Sequence, residues 1–353
     1  MNLNAFVKGT CDDFCPPKEI KMRATEKLLH FFEMYPPLEY SHIVQKVPVK
    51  CFSRSAAGIQ TPEAADLRTV GSLSRTVAYL LEYILMDNRK PYHYRYDFIF
   101  DRLRSVRQEI VIQNLNEVQT AQLIEPMVMF LSYSSYKLCQ SSIDVFDPKI
   151  CYQHLQECLK KLLCCYDEIE QQHGTHLQNR EFFECLYVVF NLGNVEALNR
   201  ALQLSASVQG ELFHKCLSMS LHYASGNLHN SIRAVKQLPP ILCGVAMLTL
   251  QKIRRELLLR FSSAYHSKML TVPGAWLANI LIYDNVQTLL SDCQYYNIEV
   301  NLNARQIKFN KLTFDQTKDV IPPRHETFAD AMLPSGQLRS LLRIIFVAHR
   351  KCT

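Results

Sequence analysis

Residues 67–85 read LRTVGSLSRTVAYLLEYIL. Leu73, Val77, Leu80, Leu81, Ile84 and Leu85 recur at spacings of three and four, the period that lays apolar side chains along one face of an α-helix. The same stripe returns in Leu155, Leu159, Leu162, Leu163, Tyr166 and Ile169. Thr61-Pro62-Glu63 and Asp147-Pro148 each put a capping side chain before a proline, so each is expected to open a helix. Between positions 180 and 265, Leu192-Gly193-Asn194, Ser225-Gly226-Asn227 and Leu238-Pro239-Pro240 break the pattern briefly and it then resumes. That alternation predicts at least eight helices in an antiparallel helical-hairpin stack. No fixed repeat period runs through it, so the stack reads as an irregular solenoid.

After Lys268 the pattern changes. A short helix from Val272-Pro273 to about Tyr283 and a second from Asn285 to about Tyr295 precede two alternating stretches, Ile298–Val300 and Gln306–Phe309. Helix, helix, strand, turn, strand is the order of a winged-helix unit. The chain therefore divides into an N-terminal segment with one helix (1–60), a helical domain (61–267), a winged-helix subdomain (268–314) and a tail (315–353). Gln337–Ala348 in that tail is an amphipathic piece fit to pack back or dock. The fold class is mainly α: a PCI- or TPR-like helical solenoid ending in a winged helix.

The 353 residues carry 39 Lys+Arg and 33 Asp+Glu, a net +6, with 48% hydrophobic and 20% charged residues, the balance of an ordered globular protein. Ten glycines, the nearest pair Gly58 and Gly71, leave no room for a G-x-G-x-x-G or a phosphate-binding glycine loop. Thirteen cysteines in a long chain, with no basic start and apolar run in MNLNAFVKGT, read as reduced thiols of an intracellular protein. No stretch is apolar enough to cross a membrane. Charge is unevenly spread. Glu109–Arg200 holds 12 acidic and 6 basic residues, whereas Lys215–Lys268 holds 8 basic residues against Glu256 alone. Such asymmetry points to acidic partners or nucleic acid.

Cys11 and Cys15 in GTCDDFCPP look like half a zinc site, but no second pair follows, and the better reading is a tight turn with buried thiols. His154 and Cys158 sit four apart, with Cys158 on an apolar stripe, so core packing is favoured there too. No G-x-S-x-G, H-E-x-x-H or C-x-x-C is present, and no catalytic residue, cofactor or metal is expected. Two basic stretches stand out. Asn88–Arg107, NRKPYHYRYDFIFDRLRSVR, interleaves arginines with aromatic rings. Phe98, Leu103, Val106 and Ile110 form the core stripe of a helix with the arginines on its wet face. Pro91 is expected to break the chain so that Tyr92–Arg95 lie on a loop, and Arg89, Lys90, Tyr92, Tyr94, Arg95 and Tyr96 form a partner-binding surface. Lys252, Arg254, Arg255, Lys268, Lys308 and Lys311 supply a basic surface at the winged-helix end for phosphate contacts.

Seven blocks carry a resemblance. GTCDDFCPPKEIKMR (9–23), FSRSAAG (52–58), LRTVGSLSRTVAYLLEYIL (67–85), YDFIFDRLRSVRQEI (96–110) and IEPMVMFLSYSSYKLC (124–139) resemble, in order, the SAC/GANP homology region. KIRRELLLRFSSAY (252–265) and VPGAWLANILIYDNVQTLLSDCQYYNIEVN (272–301) resemble that family's PCI-type end. The resemblance implies a non-catalytic scaffold that packs against a PCI-domain protein, clamps a small acidic Dss-type subunit, engages a DEAD-box RNA-dependent ATPase and presents a basic surface to RNA. It places the protein in transcription-coupled nuclear mRNA export, with a nuclear and cytoplasmic location and the centrosome or spindle as a further one. Similarity is strongest to the short members linked to centrosome duplication and the spindle, so a centrosomal adaptor without direct RNA binding is the alternative. The sequence also departs from the family pattern. Arg95 stands where a tryptophan is common, and Met129-Phe130-Leu131 replaces an arginine-phenylalanine-histidine stretch. No residues are left over for the export-receptor repeats or pore-tethering helix of the large members.

Overall fold

The computed structural model describes residues 6–37, 46–54 and 62–334. Its helices are, in chain order, α1 (Pro17–Thr25), α2 (Phe31–Met34), α3 (Val70–Tyr79), α4 (Tyr92–Ile112), α5 (Glu117–Lys137), α6 (Pro148–His173), α7 (Arg180–Phe190), α8 (Val195–Gln203), α9 (Glu211–Ala224), α10 (Leu228–Ala234), α11 (Pro240–Ala264), α12 (Gly274–Ile280), α13 (Val286–Tyr295) and α14 (Thr327–Met332). Three short strands, β1 (Val272–Pro273), β2 (Glu299–Asn301) and β3 (Gln306–Lys308), form one antiparallel sheet in the order β1-β3-β2. The protein is thus mainly α and solenoid-like. The described residues cluster into two compact units: those up to Leu131 with Gln153–Leu177, and Ser132–Tyr152 with those from Gln178 to Pro334.

In the first unit both apolar stripes are buried. Leu73, Val77, Leu80, Leu81, Ile84 and Leu85 are inaccessible, as are Leu155, Leu159, Leu162, Leu163, Tyr166 and Ile169. Thr69 caps α3 by accepting the Ser72 amide at 3.1 Å. This corrects the expected start: Thr61 lies outside the described residues, and the chain after Pro62 makes only one 3₁₀ turn, Ala64–Asp66. The helix is held back because the intervening backbone is already spoken for. Cys11 bridges Arg68 in parallel, with Thr10 N donating to Ala64 O, Cys11 N to Leu67 O and Thr69 N to Cys11 O. A Cβ on Gly9 would lie 2.3 Å from the Arg68 carbonyl oxygen, so only glycine lets the two strands approach this closely.

In the second unit the helices from α7 to α11 are punctuated where the sequence breaks. Asn194 caps α8 and Asn227 caps α10, each accepting an amide at 3.2 Å. Gly193 turns the chain with φ +74° beneath the Tyr223 ring, a conformation and a space that exclude a side chain. Asp147-Pro148 opens α6 as expected, with the Lys149 amide donating to the Asp147 carboxylate at 2.8 Å. After α11 the order helix, helix, strand, turn, strand is present, with β1 added in front of it. Val272 pairs with Ile307 on one side of β3 and Val300 pairs with Ile307 on the other. Gln337–Ala348 lies outside the described residues.

Candidate functional site

The aromatic and basic segment after Asn88 is helix where a loop was expected. Pro91 takes an extended conformation (φ −55°, ψ 157°) and serves as the residue before the first turn of α4, which begins at Tyr92. Proline ends what precedes it but does not obstruct a helix starting at the next residue, so the break and the helix start coincide. Tyr96 is 5% exposed and stacks on Phe100 and Phe130, centroids 5.4 and 5.7 Å away, so it belongs to the core. Arg95 donates to Leu85 O at 2.6 Å and to Asn88 Oδ1 at 3.1 Å, clamping the turn before the helix. Arg89 forks onto both Asp87 oxygens at 2.9 and 3.0 Å and reaches Tyr35 O at 2.8 Å. Burial pushes the Asp87 carboxyl up, but the bonds from Arg89 more than offset it and hold the group below its ordinary range. Lys90 lies over the rings of Phe31 and Tyr94 at 4.4 and 5.5 Å. Tyr94 itself stacks on His30 with centroids 4.9 Å apart. The surface that remains is a cation-and-ring cluster of Arg89, Lys90, Phe31, Tyr35, Tyr92 and Tyr94.

The basic stretch on α11 splits in two. Lys252 is exposed, as are Lys268 and Lys311, and Lys308 is half-exposed opposite Glu299 at 3.5 Å. Arg254 is not part of this surface. It is 1% exposed, donates to Leu281 O at 3.0 Å and Ile282 O at 2.7 Å, pairs with the Glu326 carboxylate, and lies 3.9 Å from the centre of the Tyr283 ring. Arg255 is also mostly withdrawn: it donates to Gln316 O at 2.8 Å, holding the segment after Phe314 against the helix. The helical period explains the division, since Ile253, Leu257 and Leu258 face inward and carry Arg254 with them while Lys252 turns out. Around Arg254 the polar groups form a connected set. Arg324 pairs with Asp292 at 2.7 Å, Tyr283 donates to Asp292 at 2.8 Å, and Tyr136 donates to Asp330 at 2.9 Å. Burial first, and Asp292 second, push the Tyr283 hydroxyl well above its ordinary value.

Two further clusters escaped the sequence reading. Glu33, wholly buried, pairs with Arg23 and, at 3.3 Å, with Arg102, and accepts the amides of Val49 at 2.9 Å and His30 at 2.7 Å. Burial alone would raise the Glu33 carboxyl; Arg102, the two amides and Arg23 overcome it and the group lies below its ordinary range. Arg68, also buried, donates through its amide and Nε to Glu109 at 2.7 and 3.0 Å and reaches Ser105 at 2.9 Å, while Lys50 pairs with Glu109 at 3.0 Å. Arg102 therefore leaves the wet face assigned to it. The spacing contained the signal: Arg102, Ser105, Glu109 and Gln113 fall on the buried side with Val106 and Ile110, and all are buried.

Cys11 and Cys15 are buried, as read from the sequence. Burial also lifts the Cys158 thiol to about 11, and its neighbour His154 meets an Arg107 N–H at Nδ1, 2.7 Å. Among the described residues no three His, Cys, Asp or Glu side chains converge as a metal site would require. No described helix is long and apolar enough to cross a membrane.

A helical scaffold whose sequence blocks are tied together by buried ion pairs defines the class. The SAC3/GANP family model matches residues 14–302, and the chain belongs to that family. It is 25% identical over 336 residues to Protein xmas of Drosophila melanogaster, covering 92% of this chain and 16% of that protein. It is 24% identical over 359 residues to SAC3 family protein 1 of Schizosaccharomyces pombe, covering 96% and 34%. SAC3 family protein B of Arabidopsis thaliana matches half of the chain at 22% identity. The chain thus spans about a third or less of the length of these relatives.

Proposed function

We propose that this protein is a non-catalytic scaffold that pairs with a PCI-domain protein and a small acidic Dss-type subunit in a nuclear mRNA-export type complex. The observation that carries the reading is the family match over residues 14–302. The elements from α12 to β3 are read as a winged helix, and the exposed Lys252, Lys268, Lys308 and Lys311 as its contact with RNA phosphates. Arg254 and Arg255 are removed from that contact, because their N–H groups are used inside the protein. A DEAD-box ATPase is assigned to the cation-and-ring surface of Arg89, Lys90, Tyr92 and Tyr94, which combines the residue types that dominate protein interfaces. In this role the protein is nuclear and cytoplasmic.

The test is co-expression with a PCI partner and a Dss-type peptide, with the mass of the product measured. An equimolar ternary complex that binds RNA, with affinity falling steeply as salt rises, is the expected result. A chain that stays folded and alone overturns the scaffold reading. A complex that forms and ignores RNA leaves the centrosomal adaptor as the better description. Alanine at Tyr92, Tyr94 and Arg89 together is expected to abolish ATPase binding, and unchanged binding would remove that assignment.

A further inference from the structure

The first unit contains a cleft of about 540 Å3 that plays no part in the proposed scaffold or RNA contacts. It lies between α4, α5 and α6, with Phe52 at its edge. Ile110, Ile124 and Cys158 make an apolar floor, Val111 stands at the rim 74% exposed, and Arg104, Arg107 and Lys161 bring positive charge to the walls. Its size falls within the range of sites that take small ligands or peptide side chains.

The cations in this cleft are not equivalent. Arg107 is committed, donating to His154 Nδ1 at 2.7 Å and to Glu157 at 2.9 Å. Burial and then Arg107 lower the pKa of His154. Arg104 is different. Its guanidinium lies 3.8 Å from the centre of the Phe52 ring and 5.8 Å from that of Phe100, and among the described residues it makes no hydrogen bond or ion pair. Burial lowers its affinity for its proton, Asp101 opposes this, and the neighbouring charges of Arg54 and Arg107 lower it again. A guanidinium stacked on a ring has its plane fixed and its N–H edge directed away from it, the arrangement that receives a carboxylate through two parallel bonds. Lys161 is exposed on the neighbouring helix and also has no carboxylate among the described residues. Glu157 is the one carboxylate among the described residues that line the cleft, and it is already bound to Arg107.

We infer that this cleft docks a short acidic peptide segment, a carboxylate on Arg104 with support from Lys161, and an adjacent apolar side chain against Ile110, Val111 and Ile124. Charge complementarity selects this occupant over the chain's own amphipathic C-terminal piece, since Gln337–Ala348 carries Arg339 and Arg343 and no carboxylate. The inference is independent of the RNA reading, which concerns residues of the other unit.

A random peptide library displayed on phage, selected on the full-length protein, tests it. The expected outcome is enrichment of peptides with Asp or Glu beside Leu, Ile or Phe. The best of these, made synthetically with a fluorescent label, should bind at least about tenfold more weakly to Arg104→Glu and to Val111→Asp. Both positions border solvent, and circular dichroism verifies that the variants are folded. Lys149→Glu, an exposed position in the other unit, should bind the peptide as the parent does. Three results overturn the proposal: no acidic-apolar enrichment, equal loss in Lys149→Glu, which marks non-specific attraction, or undiminished binding to Arg104→Glu and Val111→Asp. If single-stranded RNA displaces the peptide and itself fails to bind Arg104→Glu, the cleft belongs to nucleic acid and the peptide reading falls.

Discussion

At the N-terminal end Arg23, Arg68 and Arg102 meet Glu33 and Glu109 inside the core, whereas at the basic end Lys252, Lys268 and Lys311 stand in solvent with no such partner among the described residues. Both regions are rich in cations by sequence. The difference lies in how far along the chain each cation finds its carboxylate. Arg68 reaches Glu109 across 41 positions and Arg254 reaches Glu326 across 72. A charge balance taken over a window therefore counts Arg254 as free, because its counter-ion lies outside the window. The local excess between Lys215 and Lys268 is real as arithmetic but overstates the surface. Only side chains that the helical period turns outward, such as Lys252, contribute to it.

The largest expected effect breaks the N-terminal cluster. Glu33→Ala takes from the buried Arg23 and Arg102 the carboxylate they share, leaving each a less buried partner, Glu19 for Arg23 and Asp101 for Arg102, and removing one partner of a buried pair costs about 3–5 kcal/mol. Urea unfolding of the variant should show the whole of that loss in the midpoint. Glu326→Ala does the same to Arg254 and is expected to cost about 3 kcal/mol, tempered by the carbonyls of Leu281 and Ile282 that Arg254 retains. A loss under about 1 kcal/mol in either variant would mean that these arginines find water or another partner, and the contrast between the two ends would fail.

Changing Lys252, Lys268, Lys308 and Lys311 together to glutamine probes the other side of the comparison. Stability should stay within about 1 kcal/mol, since exposed lysines and the Glu299 pair contribute little. Affinity for single-stranded RNA should fall, and the slope of log affinity against log salt should shrink by about 3, at about 0.7 for each phosphate no longer neutralised by a lysine. Adding Arg254→Lys to the set should change stability and leave the slope where it is. A further drop in slope would return Arg254 to the binding surface.

Much of this architecture was legible because apolar periodicity is a local property. The stripes of α3 and α6, the breaks at Gly193 and Gly226 and the helix-to-strand order after Lys268 can all be read within windows of a few turns. Pro91 misled because the same residue ends one segment and starts the next, and the side chains that follow decide which. The expected partner surface accordingly included Tyr96, whose ring stacks into the core. Buried ion pairs were not legible as pairs. Their members appear in the sequence as scattered charges, and only the fold brings Arg23 to Glu33 and Arg102. The blocks GTCDDFCPPKEIKMR, LRTVGS and YDFIFDRLRSVRQEI, on which the family resemblance rests, contribute Arg23, Arg68, Arg102 and Glu109 to these clusters. That gives the resemblance a physical content: those arginines and Glu109 hold the N-terminal segment on α3 and α4.

The smallest effect sharpens the comparison through pH. His30 stacks on Phe98 with centroids 4.5 Å apart, accepts the Phe32 amide through Nδ1, and has its pKa lowered from 6.5 to about 4 by burial and then by Arg102. A histidine whose folded pKa is depressed binds more protons when unfolded, so folding is favoured above pH 6.5 and that advantage drains as pH falls from 6.5 toward 4. Discounted for its partial exposure, the contribution is on the order of 1 kcal/mol. His30→Asn keeps an acceptor for the Phe32 amide and removes the titration. Its stability should be lower throughout because the stacking on Phe98 and Tyr94 goes with the ring, but the decline between about pH 6.5 and 4 should be shallower than in the parent, with His154 and, toward the acid end, the depressed carboxyls of Glu33, Asp87 and Glu157 contributing to the slope that remains. The quadruple lysine variant should keep the parental slope, because lysines do not titrate in that window. If instead the lysine variant flattens the profile and His30→Asn does not, the pH dependence arises from repulsion among surface cations, and the N-terminal cluster is not the sensitive end of the molecule.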